Sequence, residues 1–379
     1  MVLSLSGFRI GHYEDETALT GCTVLLFDEE ALAAADVRGS APATANFSTL
    51  DPIVRSARID AIFLTGGSSF GLAAVAGVQK YLEKQKKGFD VGVTHIPNVP
   101  TAAIFDLAVG DSTVRPTAEM AEMACLLAVN TCDRDGTVGA GTGASVGKLL
   151  GIKQAMRGGF GFASGTTTGG ATIWAFAVVN AFGDVWNQGR TEILAGCRTA
   201  PDKNDLADAG LMIREGAKRQ GFGPTKKILE QESSVTNSGS ETTGTASTSL
   251  EPSKEVREDQ SRETVLSLEN SAQTEQNKTG TVDNTTLIVM VTDAALDVIS
   301  AKKLAQSGIT GLTDVVYPAC TIFDGDLAIA VSIGKIEEDL TQLCLIGQAL
   351  VSEAIVNGVK AARPAAGLPA YEEPIWQQP

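Results

Sequence analysis

Thr285 opens an apolar run, Thr285-Thr286-Leu287-Ile288-Val289-Met290-Val291, directly after Asp283-Asn284 and a long segment of Ser, Thr, Glu, Gln and Asn. Inside a chain its hydroxyl is a poor nucleophile. Cutting the Asn284–Thr285 bond would give Thr285 a free α-amine with a reference pKa of about 7.7–8. That amine can take the hydroxyl proton and return it to a leaving amine, so one residue supplies nucleophile and base. The same hydroxyl can make the cut by attacking the Asn284 carbonyl, forming an ester that water opens. A blander reading is that two β-branched residues begin a strand, and spacing and composition alone favour it.

Two further constellations can serve such a nucleophile. Asp324-Gly325-Asp326 places two carboxylates just before an apolar strand, where they could orient a new ammonium group and hold the Thr285 hydroxyl and, by crowding, tune the proton equilibrium. Asp-Gly-Asp also describes many turns. Gly136 to Lys148 is glycine-rich, with Gly141, Thr142 and Gly143 at its centre, but Leu149 follows Lys148 where a phosphate loop needs Ser or Thr. Nucleotide binding is disfavoured; a loop offering N–H groups and Lys148 to an oxyanion remains open. Gly66, Gly67, Ser68 and Ser69, between a strand and a helix, could hold a substrate carbonyl or form a tight turn. His12 and His95 are far apart in sequence, and nothing in their spacing supplies a third catalytic group. The six cysteines show no metal-ligand spacing and read as small buried hydrophobes. No metal or organic cofactor is required.

The elements that must position these residues fall into three regions. Residues 1–225 are rich in Gly, Ala and Val. They carry strand candidates at Cys22–Phe27, Ala61–Leu64 and Trp174–Asn180, and helix candidates at Phe70–Tyr81 and Thr117–Asn130. Residues 226–284 hold too few aliphatics to offset the entropy of ordering and read as a mobile insert ending at the proposed cut. Residues 285–379 resume with a strand from Thr285. A helix capped at Thr292-Asp293 follows, carrying Leu296, Ile299 and Leu304 inward and ending near Gly308. A strand at Leu327–Ser332 and a helix over about Glu337–Val356 complete the pattern. Mixed α/β architecture follows, with the last region completing the sheet of the first.

With 379 residues, 43% of them hydrophobic, a large core can be buried. The net charge of −15 argues against nucleic acid as a partner. The opening residues lack a signal-peptide pattern and no stretch reads as a membrane span, so a cytoplasmic protein is expected.

Taken in order, these pieces resemble the L-aminopeptidase/D-esterase and β-peptidyl aminopeptidase family, and within it the nylon-oligomer (6-aminohexanoate-oligomer) endohydrolases. The stretches that carry the resemblance are Gly11-His12-Tyr13, Thr20-Gly21-Cys22-Thr23-Val24, Leu64-Thr65-Gly66-Gly67-Ser68-Ser69-Phe70-Gly71-Leu72, Gly139-Ala140-Gly141-Thr142-Gly143-Ala144, Val179-Asn180-Ala181-Phe182-Gly183-Asp184-Val185 and Val291-Thr292-Asp293-Ala294-Ala295-Leu296. The resemblance spans about 1–220 and 285–365.

It implies a four-layer alpha-beta-beta-alpha sandwich of the N-terminal-nucleophile type, built as one domain by two chains that arise through autoproteolysis. It implies Thr285 as nucleophile, Asp324 and Asp326 as supporting carboxylates, Asn180 as an oxyanion or substrate-amide contact, and Lys148 as a polar partner near the nucleophile. It also implies small-peptide or oligoamide substrates and assembly into homotetramers. The family commonly carries Tyr in the segment around Phe105, where its hydroxyl helps hold the oxyanion; Phe105 lacks that donor. The competing reading is a non-catalytic or unprocessed homologue acting as a small-molecule or protein-binding scaffold.

Overall fold

The computed structural model describes residues 2–54, 58–220 and 284–372; the polar insert at 226–283 lies outside the described residues. Nine strands share one hydrogen-bonded sheet. They are β1 (Phe8–Asp15), β2 (Thr20–Val37), β3 (Ala43–Ala45), β4 (Arg58–Thr65), β5 (Thr101–Ala103), β6 (Gly159–Thr166), β7 (Thr172–Asn180), β8 (Thr285–Ala294) and β9 (Leu327–Ile336). Their order is β6-β7-β8-β9-β2-β4-β5-β3, with β1 also paired to β2.

β2 is what folds this sheet over. Its first part, Thr20–Phe27, pairs with β1, and Leu32–Val37 pairs with β9. Between them Asp28, Glu29 and Glu30 are exposed and the register to β4 shifts between Leu26 and Ala31. Irregularity of this kind increases local bend and twist. As a result β1 lies face to face with β6 and β7 at the far end of the strand order. The Phe8 ring sits 5.4 Å from Trp174 and 6.1 Å from Phe176, and His12 is 4.8 Å from Phe160.

Three of the apolar cores among the described residues pack against this sheet. The central one joins Phe8, Ile10, Leu25 and Leu64 to Phe176, Leu287, Val289 and Val291. On the other face of β8 and β9, Ile288, Met290, Ala328 and Ala330 pack on helices α3 (Val298–Val315) and α4 (Leu340–Lys360) through Leu304, Leu312, Val351 and Ile355. On the other face of β2 and β4, Val24, Leu26 and Phe63 meet α1 (Val75–Lys84) and α2 (Ala118–Leu126). Because β8 is covered on both faces, it reads as an uninterrupted apolar run rather than an alternating one.

The region after Thr285 differs in detail from the sequence expectation. β8 continues to Ala294, so α3 starts later, capped by Asp297, whose side chain accepts from the Ser300 N–H at 2.7 Å. Ile299 is exposed rather than inward. Gly308 does not end the helix. A Cβ there would come within 2.7 Å of Met290, so the glycine permits close packing on the sheet. α4 begins at Leu340 behind its cap Asp339 and runs to Lys360. By length and apolarity alone α4 could cross a membrane. Here Leu343, Leu350, Val351 and Ile355 are buried against the sheet.

Candidate active site

β8 begins at Thr285, and its neighbour β7 ends at Asn180; these two residues face each other in antiparallel register. On the other side, Asn284 bridges Asp324 in parallel just ahead of the β8–β9 pairing. Sheet register therefore brings Asn180, the adjacent pair Asn284 and Thr285, and Asp324 together from three distant stretches of sequence. Asn284 is fully buried and Thr285 is 4% exposed, so the intact chain closes over its own hydroxyl.

The Thr285 hydroxyl donates to the carbonyl oxygen of Asn284 at 2.5 Å. The same oxygen accepts the Gly325 N–H at 2.8 Å. The bond whose cleavage would free Thr285 is thus contacted by the hydroxyl that would attack it and by a donor on its oxygen.

Neither carboxylate bonds the Thr285 hydroxyl among the described residues. Asp326 accepts the Thr286 N–H at 2.6 Å through Oδ1 and the Cys320 N–H at 2.8 Å through Oδ2. Asp324 accepts the Phe182 N–H at 3.2 Å through Oδ1, while its Oδ2 takes the Thr321 N–H at 2.9 Å and hydroxyl at 2.6 Å. Both act here as buried clamps on backbone around the bond. Burial, then the charge of Asp324, pushes the Asp326 carboxyl up to about 7, against the pull of its backbone donors. Burial also raises Asp324, offset by its Thr321 and Phe182 donors and by the Lys148 charge.

Lys148 is 1% exposed and donates through Nζ to the Asn180 side-chain oxygen at 2.7 Å and backbone oxygen at 3.0 Å. Asn180 Oδ1 also accepts the Ser145 N–H at 3.1 Å, and its Nδ2 donates to the Phe105 carbonyl at 3.2 Å. The side chain of Asn180 is committed at both ends.

The two glycine-bearing loops make scaffolding contacts. The amides of Gly66, Gly67 and Ser68 donate to Gly21 O, Asp106 Oδ1 and Ile104 O. Those of Gly141 and Thr142 donate to Val138 O and Gly139 O. Ser69 is exposed. A Cβ on Gly66 or on Gly143 would strike the Asp106 side chain, so the loops converge on that carboxylate. Asp106 also accepts the Thr20 hydroxyl at 2.7 Å. Burial raises its pKa, opposed by Thr20 and Gly67 first and by the more distant Arg157 charge last. Arg157, fully buried, donates to the Thr142 carbonyl.

Sequence reasoning missed Asp106 and the Gly325 N–H. A lone acid in the apolar stretch Ala102 to Val109 was the available signal for the first. His12 is buried, 2.9 Å from the Thr23 hydroxyl, and burial lowers its pKa to about 3. It is a neutral core residue on β1.

Comparison with known proteins fits this arrangement. Residues 2–371 match peptidase family S58. An uncharacterized aminopeptidase of Mycobacterium leprae (strain TN) is 30% identical over 398 aligned residues, covering 98% of this chain and 92% of that protein. A 6-aminohexanoate-oligomer endohydrolase of Agromyces sp. (strain KY5R) is 32% identical over 143 residues, 38% of each chain. Among solved structures, a beta-aminopeptidase of Burkholderia sp. is similar with a TM-score of 0.57 at 18% identity, covering 96% of this chain and 87% of that one. The L-aminopeptidase D-Ala-esterase/amidase of Ochrobactrum anthropi, described as a variant of the Ntn (N-terminal nucleophile) hydrolase fold, gives 0.58 at 15% identity, covering 94% and 85%. These structural likenesses show a shared fold. With the family match spanning nearly the whole chain, the protein belongs to peptidase family S58 and is an amide or peptide hydrolase.

Proposed function

We propose that this hydrolase is self-processing. Thr285 cuts the Asn284–Thr285 bond and then, as an N-terminal nucleophile, cleaves amides of small peptides or aminoalkanoate oligomers through a Thr ester. The observation that carries the proposal is the Thr285 hydroxyl on the carbonyl oxygen of Asn284. A fixed attacking group in contact with its target supplies the proximity that such a step needs. In self-cleavage the Thr285 Oγ–Asn284 C bond forms and the C–N bond breaks. The hydroxyl proton passes to the Thr285 nitrogen, and water then opens the ester. In turnover the free Thr285 amine takes the hydroxyl proton as Oγ attacks the substrate carbonyl and passes it to the leaving substrate amine, and water then opens the Thr ester.

The four-layer sandwich belongs to the same reading. It is supported by three cores that alternate with sheet halves and helix pairs. Assembly as a homotetramer in the cytoplasm is proposed with it, and light scattering tests the oligomer directly. Intact-mass measurement of purified protein tests processing. Fragments of 284 and 95 residues are expected from the full chain, and Thr285→Ala should remain a single species. A full-length wild-type chain that persists on prolonged incubation overturns the proposal. Blocking the free amine of a substrate separates the two substrate classes. An aminopeptidase loses turnover, and an endohydrolase keeps it.

A further inference from the structure

We infer that the backbone N–H of Gly325 is the oxyanion donor of this site, used first on the chain's own Asn284 carbonyl and again on the substrate. The inference rests on the self-cleavage reading above and adds the group that stabilises the charge.

The geometry is direct. Gly325 N lies 2.8 Å from Asn284 O, the atom on which negative charge develops when Thr285 attacks. An oxyanion donor acts by being aimed in advance, and this peptide unit is fixed from both sides. The Ala41 N–H donates to Asp324 O, and those of Arg38 and Gly39 donate to Asp326 O. The side chains of Asp324 and Asp326 hold backbone N–H groups of Phe182, Thr321, Thr286 and Cys320.

The residue type is also dictated. A Cβ at position 325 would lie 2.7 Å from the Thr285 hydroxyl oxygen and 2.8 Å from Ala41 O. Only glycine lets the donor and the nucleophile converge on one carbonyl.

Several other candidate donors already have acceptors. One N–H of Asn180 Nδ2 goes to the Phe105 carbonyl, and the amides of Gly66, Gly67, Gly141 and Thr142 are bonded within the scaffold. Phe105 offers no hydroxyl. When the bond is cut and Asn284 withdraws, the Gly325 N–H loses its acceptor. A substrate carbonyl placed there meets Thr285 in the relation that Asn284 holds in the uncut chain, so the precursor is a template for the substrate complex.

The test replaces Gly325 by glycolic acid in the full chain, which converts the Asp324–Gly325 amide to an ester, removing the N–H while leaving a weaker Asp324 carbonyl acceptor for the Ala41 N–H. Self-cleavage, followed by intact mass, should slow by about 10²–10³-fold with the melting temperature little changed. Hydrogen exchange of the Gly325 amide supplies a second readout on unsubstituted backbone. It should be protected in the uncut Thr285→Ala chain and exchange faster by about an order of magnitude or more in the cut wild type.

Cleavage of the ester variant at the wild-type rate overturns the inference, as does equal protection of Gly325 in cut and uncut protein. If the ester variant does not fold, the exchange measurement decides. A wild-type chain that never cuts at Asn284–Thr285 removes the self-cleavage reading instead, so the two failures are distinguishable.

Discussion

Asp326→Asn probes the site through a residue that bonds neither the hydroxyl nor the carbonyl at the bond. Asp326 receives two backbone N–H groups, at 2.6 Å from Thr286 and 2.8 Å from Cys320. Asn keeps one acceptor oxygen and turns an NH₂ toward the other donor. One buried N–H is then left unmet, at a cost of about 1–3 kcal/mol. Loss of the negative charge beside Asp324 offsets part of this. The larger effect falls on chemistry. Thr286 is the residue after the nucleophile, and loosening it by about 1 Å is expected to slow self-cleavage by about 10²-fold.

The pH profile supplies an independent signature. With its carboxyl held up to about 7, Asp326 is protonated below neutrality and ionised above it. If the ionised form is the competent one, the wild-type cutting rate rises through about pH 7, and this limb disappears in the variant. Appearance of the 95-residue fragment, timed by mass spectrometry across that range, measures both effects, and urea unfolding measures the stability term separately. Cutting at the wild-type rate with the same pH profile would refute the role assigned to Asp326.

Lys148→Met removes the donor to Asn180 O and Oδ1. Ser145 N–H still serves Oδ1, so a loss of about 1–3 kcal/mol is expected in urea unfolding. Slower cutting should accompany it, and an unchanged rate argues against Lys148 in the site. Phe105→Tyr adds the hydroxyl that the family resemblance leads one to expect in this segment. A rise in kcat of up to about 10²-fold is expected without a matching change in KM, and no rise removes this position from oxyanion binding.

Thermal melting should show stability falling as pH rises from about 4 to about 7. Asp184, buried and bonded by the Cys197 and Ala209 amides, is raised to about 7 like Asp326. In that window the folded state holds protons that the unfolded state has released. Each group therefore contributes a falling slope of about 1.4 kcal/mol per pH unit. His12, lowered to about 3 by burial, opposes one of the two up to about pH 6.5, and a melting temperature that rises across the window contradicts the net fall.

The sequence made the strands of the site legible because Trp174–Asn180, Thr285–Val291 and Leu327–Ser332 are short, dense apolar runs. Their pairing was not legible. Nothing local says that Asn180 faces Thr285, since antiparallel register is set by the whole sheet. The start of α3 was misplaced because Thr292-Asp293 and Asp297 all suit a cap, and pairing with β9 carries β8 on to Ala294. Glycine loops read as oxyanion donors proved to have most of their N–H groups spent on neighbouring backbone. A glycine-rich pattern records close approach but not what approaches. Gly325 looked like a spacer between two acids because the role of its N–H depends on a parallel bridge to Asn284 forty residues away in sequence.

β8 lies inside the sheet, antiparallel to β7 on one edge and parallel to β9 on the other. A break at its first residue therefore nicks the polypeptide without freeing a strand. Both ladders of hydrogen bonds and the contacts of α3 and α4 remain to hold the two pieces. Cut and uncut protein should co-migrate in native sizing and separate only after denaturation. Mixing halves from two variants should produce no hybrids until the fold is melted. The new amino terminus would stay at the register position from which β8 starts, so the act of cutting would leave the reactive group already in place.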